Sequence, residues 1–126
     1  MHGTFIWTEL LTGDVEAAKA AYAKLAGWTY EQHATPDGEP YSVAFANGRP
    51  AAGVMSLRTL PPGAPPHWFA YLGVDDVDAS CALIESLGGM VSKKPFDIPE
   101  VGRIAVVFDA QGACFGLMTP LKREAA

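Results

Sequence analysis

Glu9 is the side chain best placed to do chemistry in this 126-residue chain. It follows Trp7 by two residues in an alternating segment, and on an extended strand that spacing turns both side chains to one face. A carboxylate on a half-buried face could act as a general base, its pKa raised by desolvation. The competing reading is a glutamate at a strand end, paired with an arginine or solvated, because structural ion pairs occupy such positions too. Tyr71 holds the place in the second half of the chain that Glu9 holds in the first. The two are expected to face each other across a cavity, where they could act as an acid–base pair, hold a polar ligand or bond one another. His67 could exchange protons near neutral pH, although a lone histidine after Pro65-Pro66 is expected at the surface. The three histidines share no ligand spacing, and the chain has no Gly-rich phosphate loop, nucleophile elbow or paired-cysteine motif.

Around Glu9 the sequence offers an apolar lining. Trp7, Phe45, Met55, Phe69, Phe108 and Met118 are the candidate wall, and aromatic and methionine side chains with a few polar groups are the usual lining of small-molecule sites. A plain core has the same composition. Gly53 and Gly116 sit inside strand patterns, where glycine costs stability and marks the close approach of another group. Trp7, Phe45, Gly53, Met55, Phe69, Gly116 and Met118 are therefore the candidate ligand-binding set.

The elements that must position these residues come in a repeat. Leu10, Asp14, Val15, Ala17, Ala20, Leu25 and Gly27 recur 62 residues later as Leu72, Asp76, Val77, Ala79, Ala82, Leu87 and Gly89. Val43, Phe45, Gly53 and Met55 recur 63 residues later as Val106, Phe108, Gly116 and Met118. Each half reads as strand, helix, then three strands, and such a unit needs a partner to cover its apolar face. In the first half the spacing predicts strands at 3–11, 28–33, 41–46 and 51–58. The helix runs from Val15 to Ala26, with Thr12 or Asp14 as N-cap, Val15, Ala18, Tyr22 and Leu25 as its apolar stripe, and Gly27 as its left-handed stop. A turn cluster lies at 35–40, and Asn47-Gly48 makes a hairpin. Residues 60–66, rich in proline, form a stiff linker. The second half is expected to place strands at 67–74, 90–93, 103–108 and 113–119, with a loop or edge at 95–102. Its helix is capped by Asp75 or Asp76 and carries Val77, Cys81, Ile84 and Leu87 as its stripe. Asp109 to Gly112 forms a second hairpin turn, and a frayed tail starts at Pro120. These boundaries describe one domain, with module 1 at about 3–59, the linker at 60–66 and module 2 at about 67–120.

Composition narrows the function classes. Net charge is −5 with no basic run longer than Lys93-Lys94, which argues against nucleic acid. Apolar residues make up 49% of the chain, enough for a real core. No apolar run reaches the ~18–20 residues of a membrane span, and the N-terminal residues carry no signal-peptide pattern. A cytoplasmic protein is expected. Cys81 and Cys114 read as two small buried hydrophobes, since two cysteines outside loops make no disulfide framework.

Two βαβββ modules, helices opened by D-V-E-A and D-V-D-A, and a closing strand–D-x-x-G–strand hairpin together resemble the vicinal oxygen chelate superfamily. That group contains glyoxalases, bleomycin-resistance proteins and extradiol dioxygenases. The stretch W-T-E-L…D-V-E-A-A-K-A-A-Y…L-A-G-W is similar to the N-terminal half of a glyoxalase-like subgroup. The resemblance covers Phe5 to Pro120. It implies an α+β fold in which two modules, related by a pseudo-two-fold axis, form a cupped mixed sheet, and it implies a homodimer. It also implies a divalent ion held by residues on the first and fourth strand of each module. Those positions here are Trp7, Gly53, Phe69 and Gly116, and none of the four side chains can coordinate a metal. The expectation is a glyoxalase-like protein without a metal or other cofactor, binding a small apolar or aromatic molecule in the cavity between modules. The alternatives are a lyase or isomerase using Glu9 and Tyr71, a metal-dependent glyoxalase or dioxygenase relative, and a partner-binding module whose cavity is packed shut.

Overall fold

Local signals set the helices. Asp14 accepts a hydrogen bond from the backbone of Ala17 and opens α1 (Val15–Ala26), and Gly27, at φ 73°, closes it in the left-handed region. Asp76 does the same through Ala79 at the start of α2 (Val77–Ser86). The computed structural model describes residues 2–35, 38–60, 62–98 and 101–121. The expected turn at Pro36-Asp37, Pro61 of the expected linker and the tail from residue 122 lie outside the described residues.

Packing divides the chain into two compact units, residues 7–69 and residues 1–6 with 70–126. The first unit carries α1 and four strands, β1 (Phe5–Thr12, from Trp7 on), β2 (Thr29–Ala34), β3 (Pro40–Ala46) and β4 (Arg49–Ser56). Strands β2, β3 and β4 run antiparallel in that order, and β1 lies parallel to β4. The Asn47-Gly48 turn joins β3 to β4 with φ values of 54° and 78°, as a two-residue hairpin requires. The strand expected to reach Arg58 stops at Ser56, whose hydroxyl accepts from the Arg58 backbone and starts a short 3-10 turn at Leu57–Thr59.

The second unit repeats the plan. It contains α2 with β5 (His67–Gly73, from Ala70 on), β6 (Met90–Ile98), β7 (Gly102–Phe108) and β8 (Cys114–Pro120). Here β8 is parallel to β5 and antiparallel to β7, which in turn pairs with β6. Asp109 Oδ1 accepts from the backbones of Gln111 and Ala113 and shapes the β7–β8 turn. Val74, Val77, Cys81, Ala105, Val107 and Leu117 form the core of this unit, with α2 packed on the sheet.

Several expectations need correction. The strand expected at 90–93 continues through Pro95 to Ile98, with register shifts on either side of Lys93. Among the described residues only β7 borders it, so Pro95 costs no second ladder. Pro120 belongs to β8, paired with Gly102, so it is not yet the frayed tail. Leu25 and Leu87 were expected on the buried helix stripes, yet they are 79% and 67% exposed, Leu25 in the last turn of α1 and Leu87 just past the end of α2. No residue of α1 is fully buried. Tyr22 instead stacks on Trp28 at 5.2 Å, while Tyr30 donates its hydroxyl to the Lys19 carbonyl at 2.9 Å. Of the two cysteines expected inside, Cys81 is buried, but Cys114 is exposed at the start of β8.

Candidate functional site

The chemistry-bearing residues of the first unit converge on one phenol. Trp7 and Glu9 share a face of β1, and Glu9 stands opposite Gly53 in the parallel β1–β4 register. Tyr41 enters that face from β3, where its own partner is Met55. The Trp7 indole Nε1–H donates to the Tyr41 hydroxyl at 2.8 Å. Tyr41 is in turn hydrogen-bonded to the Glu9 side chain. Both residues are sequestered, with Tyr41 1% and Glu9 5% exposed. The solvated alternative for Glu9 therefore does not hold. Burial pushes the Tyr41 phenol well above its ordinary pKa, and the neighbouring Glu9 adds to the shift. The phenol stays protonated and keeps its hydrogen to donate.

Glycine makes room for this arrangement. A Cβ on Gly53 would collide with the Tyr41 hydroxyl and ring. In the second unit Tyr71 stands opposite Gly116 in the parallel β5–β8 register, and a Cβ on Gly116 would collide with the Tyr71 ring. The two strand glycines thus admit tyrosines, one from an antiparallel neighbour and one from a parallel neighbour. Sequence reasoning missed Tyr41. The signal that could have found it was the glycine itself, which demanded a large side chain on an adjoining strand.

The remaining candidates fall where the strands put them. Trp7, Phe45, Gly53, Met55 and Phe69 belong to the first unit, with Met55 and Phe69 buried and Trp7 and Phe45 half-buried. Tyr71, Gly116 and Met118 are buried in the second unit. His67 is half-buried, with Nδ1 2.8 Å from the Pro65 carbonyl and its ring 6.4 Å from Phe69. A carbonyl oxygen only accepts, so Nδ1 is the donor in that contact.

These features can be set beside known proteins. The sequence model of the "Glyoxalase/Bleomycin resistance protein/Dioxygenase superfamily" matches residues 4–116. The chain belongs to that superfamily. It is 40% identical over 122 residues to "Putative glyoxylase CFP32" of Mycobacterium tuberculosis (strain CDC 1551 / Oshkosh), covering 97% of this chain and 46% of that protein. It is 31% identical over 127 residues to "Anthracycline biosynthesis protein DnrV" of Streptomyces peucetius, covering 91% of this chain and 46% of that one. The chain therefore spans about half the length of the curated relatives it matches. Methylmalonyl-CoA epimerase from Mycobacterium tuberculosis shares the fold, with a TM-score of 0.73, 18% identity, and coverage of 94% of this chain and 89% of that one. The α+β class and the paired βαβββ units are those of the glyoxalase/bleomycin-resistance fold.

The superfamily's divalent ion does not fit the residues that stand in its place. At Gly53 the room for a ligating side chain is taken by Tyr41, and at Gly116 by Tyr71. The one polar atom of the Trp7 side chain is a donor already committed to Tyr41. Phe69 has no donor atom. Among the described residues no three His, Cys, Asp or Glu side chains gather into a cluster able to hold a metal ion, and no helix is long and apolar enough to cross a membrane.

Proposed function

We propose that this protein binds a small aromatic molecule without the help of a metal ion, on the face of the first unit formed by Trp7, Tyr41 and Glu9. One observation carries the reading. The position where the superfamily would place a metal ligand is a glycine whose space is filled by a buried tyrosine, itself bonded to the tryptophan at the other ligand position. A half-buried indole offers a stacking surface, and a carboxylate beside it supplies a polar anchor. The relatives named for anthracycline biosynthesis support an aromatic ligand, anthracyclines being polycyclic aromatics. The protein acts in this reading as a cytoplasmic homodimer, which sedimentation equilibrium checks directly.

Equilibrium dialysis of chelator-treated protein against 2-naphthol tests the binding. Saturable binding by the wild type, weakened about tenfold or more in Trp7→Ala by the lost stacking surface and area, is the expected result. Equal binding by a folded Trp7→Ala variant would remove Trp7 from the site.

A further inference from the structure

The Asn47-Gly48 hairpin is reactive as well as tight. Asn47 is the chain's only asparagine. Among the described residues it is also the only one other than glycine with a positive φ, at 54°. Both turn residues are exposed. The Gly48 N–H donates to no backbone carbonyl among the described residues, whereas Gly112 in the second hairpin donates to Asp109 at 3.0 Å. A side-chain amide therefore sits directly before an uncommitted backbone nitrogen. That nitrogen belongs to the one residue type whose missing Cβ leaves it open to approach.

We propose that Asn47 is a site of spontaneous covalent modification, in which the Gly48 nitrogen closes on the Asn47 side chain and the product dismantles the hairpin that brings Tyr41 against Gly53. The Gly48 amide loses its proton, and its nitrogen attacks the Asn47 Cγ. A new N–C bond forms, the bond from Cγ to the side-chain nitrogen breaks, and ammonia leaves with the proton. Water then adds to one of the two carbonyls of the five-membered succinimide. Opening at one carbonyl gives aspartate. Opening at the other gives isoaspartate, in which the main chain runs through Cβ. Nothing is oxidised or reduced. Closure needs the Gly48 nitrogen in line with the Asn47 Cβ about the Cα–C bond, an arrangement outside the left-handed well that the turn imposes. The folded hairpin thus restrains its own reaction, and local opening releases it. Isoaspartate adds a main-chain atom to a two-residue loop whose geometry sets the register of β3 on β4. That register places Tyr41 opposite Met55 and Val43 opposite Gly53, and with them the fit of the Tyr41 ring against Gly53.

Incubation of the wild type at mildly alkaline pH, folded and in urea, followed by peptide mapping, tests this. Position 47 is expected to gain the mass of an amide-to-acid exchange, in two chromatographically separate products. The gain is expected to be about tenfold slower in the folded protein, the effect of a local opening near the low end of the usual range. Asn47→Gly keeps a residue pair that suits the same turn and is expected to show no such change, folded or in urea. The isoaspartate form, separated by ion exchange, is expected to have a lower urea midpoint than fresh protein, while Asn47→Gly incubated in parallel keeps its own. No mass change at position 47 in the unfolded chain overturns the reaction. A folded rate equal to or above the rate in urea overturns the restraint by the turn. An isoaspartate form with the midpoint of fresh protein overturns the effect on the hairpin.

Discussion

The hydroxyl of Tyr41 occupies the place where a side chain on Gly53 would begin. Gly53→Ala must therefore push aside a phenol that is almost wholly buried and bonded to Trp7. Overpacking of this kind costs about 1–3 kcal/mol. Urea denaturation is the measurement, and a variant as stable as the wild type would show that the strands yield. Since the hydroxyl is the nearest atom, Tyr41→Phe/Gly53→Ala is expected to lose less stability than the two single variants together.

Tyr41→Phe alone isolates the hydrogen bonds. It leaves the Trp7 N–H without its acceptor and Glu9 without its phenol donor, a loss of about 1–3 kcal/mol. It also changes the alkaline limb of the stability curve. Burial first, and the Glu9 charge second, raise the folded pKa of Tyr41 above the ordinary 10.0. A raised folded pKa gives stability that is complete below about pH 10 and is lost as pH climbs through the folded value. Tyr30, raised by burial and then by Tyr22, contributes in the same sense. Unfolding free energy should fall above pH 10 in the wild type and fall less steeply in Tyr41→Phe. Parallel curves would mean that Tyr41 ionises as freely folded as unfolded.

Arg103 offers an acid-side counterpart in the second unit. Its guanidinium donates to both Asp78 oxygens, at 2.8 and 3.1 Å, and to Asp97 at 3.2 Å, tying α2 to β7 and β6. The Arg103 hydrogen bond holds the Asp78 carboxyl below its ordinary 3.8. Its stabilising effect is present above that ordinary value and lost as pH falls through the depressed one. The pair is open to solvent, so the effect on stability is small and shrinks with salt. Carboxyl carbon NMR should show Asp78 returning toward 3.8 in Arg103→Met. An unmoved titration would assign the shift to another group.

Metal addition tests the proposal that this protein binds its ligand without a metal ion. A ligand bound only to the folded state, present at a hundred times its Kd, stabilises by about 2.7 kcal/mol. Thermal melts of chelator-treated protein with Ni²⁺, Zn²⁺, Mn²⁺ and Fe²⁺ are expected to coincide with the metal-free melt. A clear rise with one of them would mean that side chains other than Trp7, Gly53, Phe69 and Gly116 form a site.

Features governed by neighbours in sequence were legible from the chain alone. The α1 bounds, the left-handed Gly27, the Asn47-Gly48 hairpin and the Asp109 turn all follow from bonds within a few residues, and each helix cap was narrowed to two candidates, Thr12 or Asp14 and Asp75 or Asp76, between which the structure chose the second. The internal repeat matched Glu9 with Tyr71 and Gly53 with Gly116, and the structure gives the matched residues equivalent registers, Glu9 opposite Gly53 and Tyr71 opposite Gly116, a pairing the sequence had not stated. Which surfaces are covered was not legible, because coverage depends on where each element ends relative to the sheet. Leu25, Leu87 and Cys114 follow the apolar pattern yet are exposed. The Trp7–Tyr41 bond spans 34 positions and exists only because strand pairing brings β3 across β4 to the face of β1. Sequence determined that residue 53 has no side chain; tertiary structure decided that a tyrosine fills the space, since only the strand register sets which neighbour can reach it.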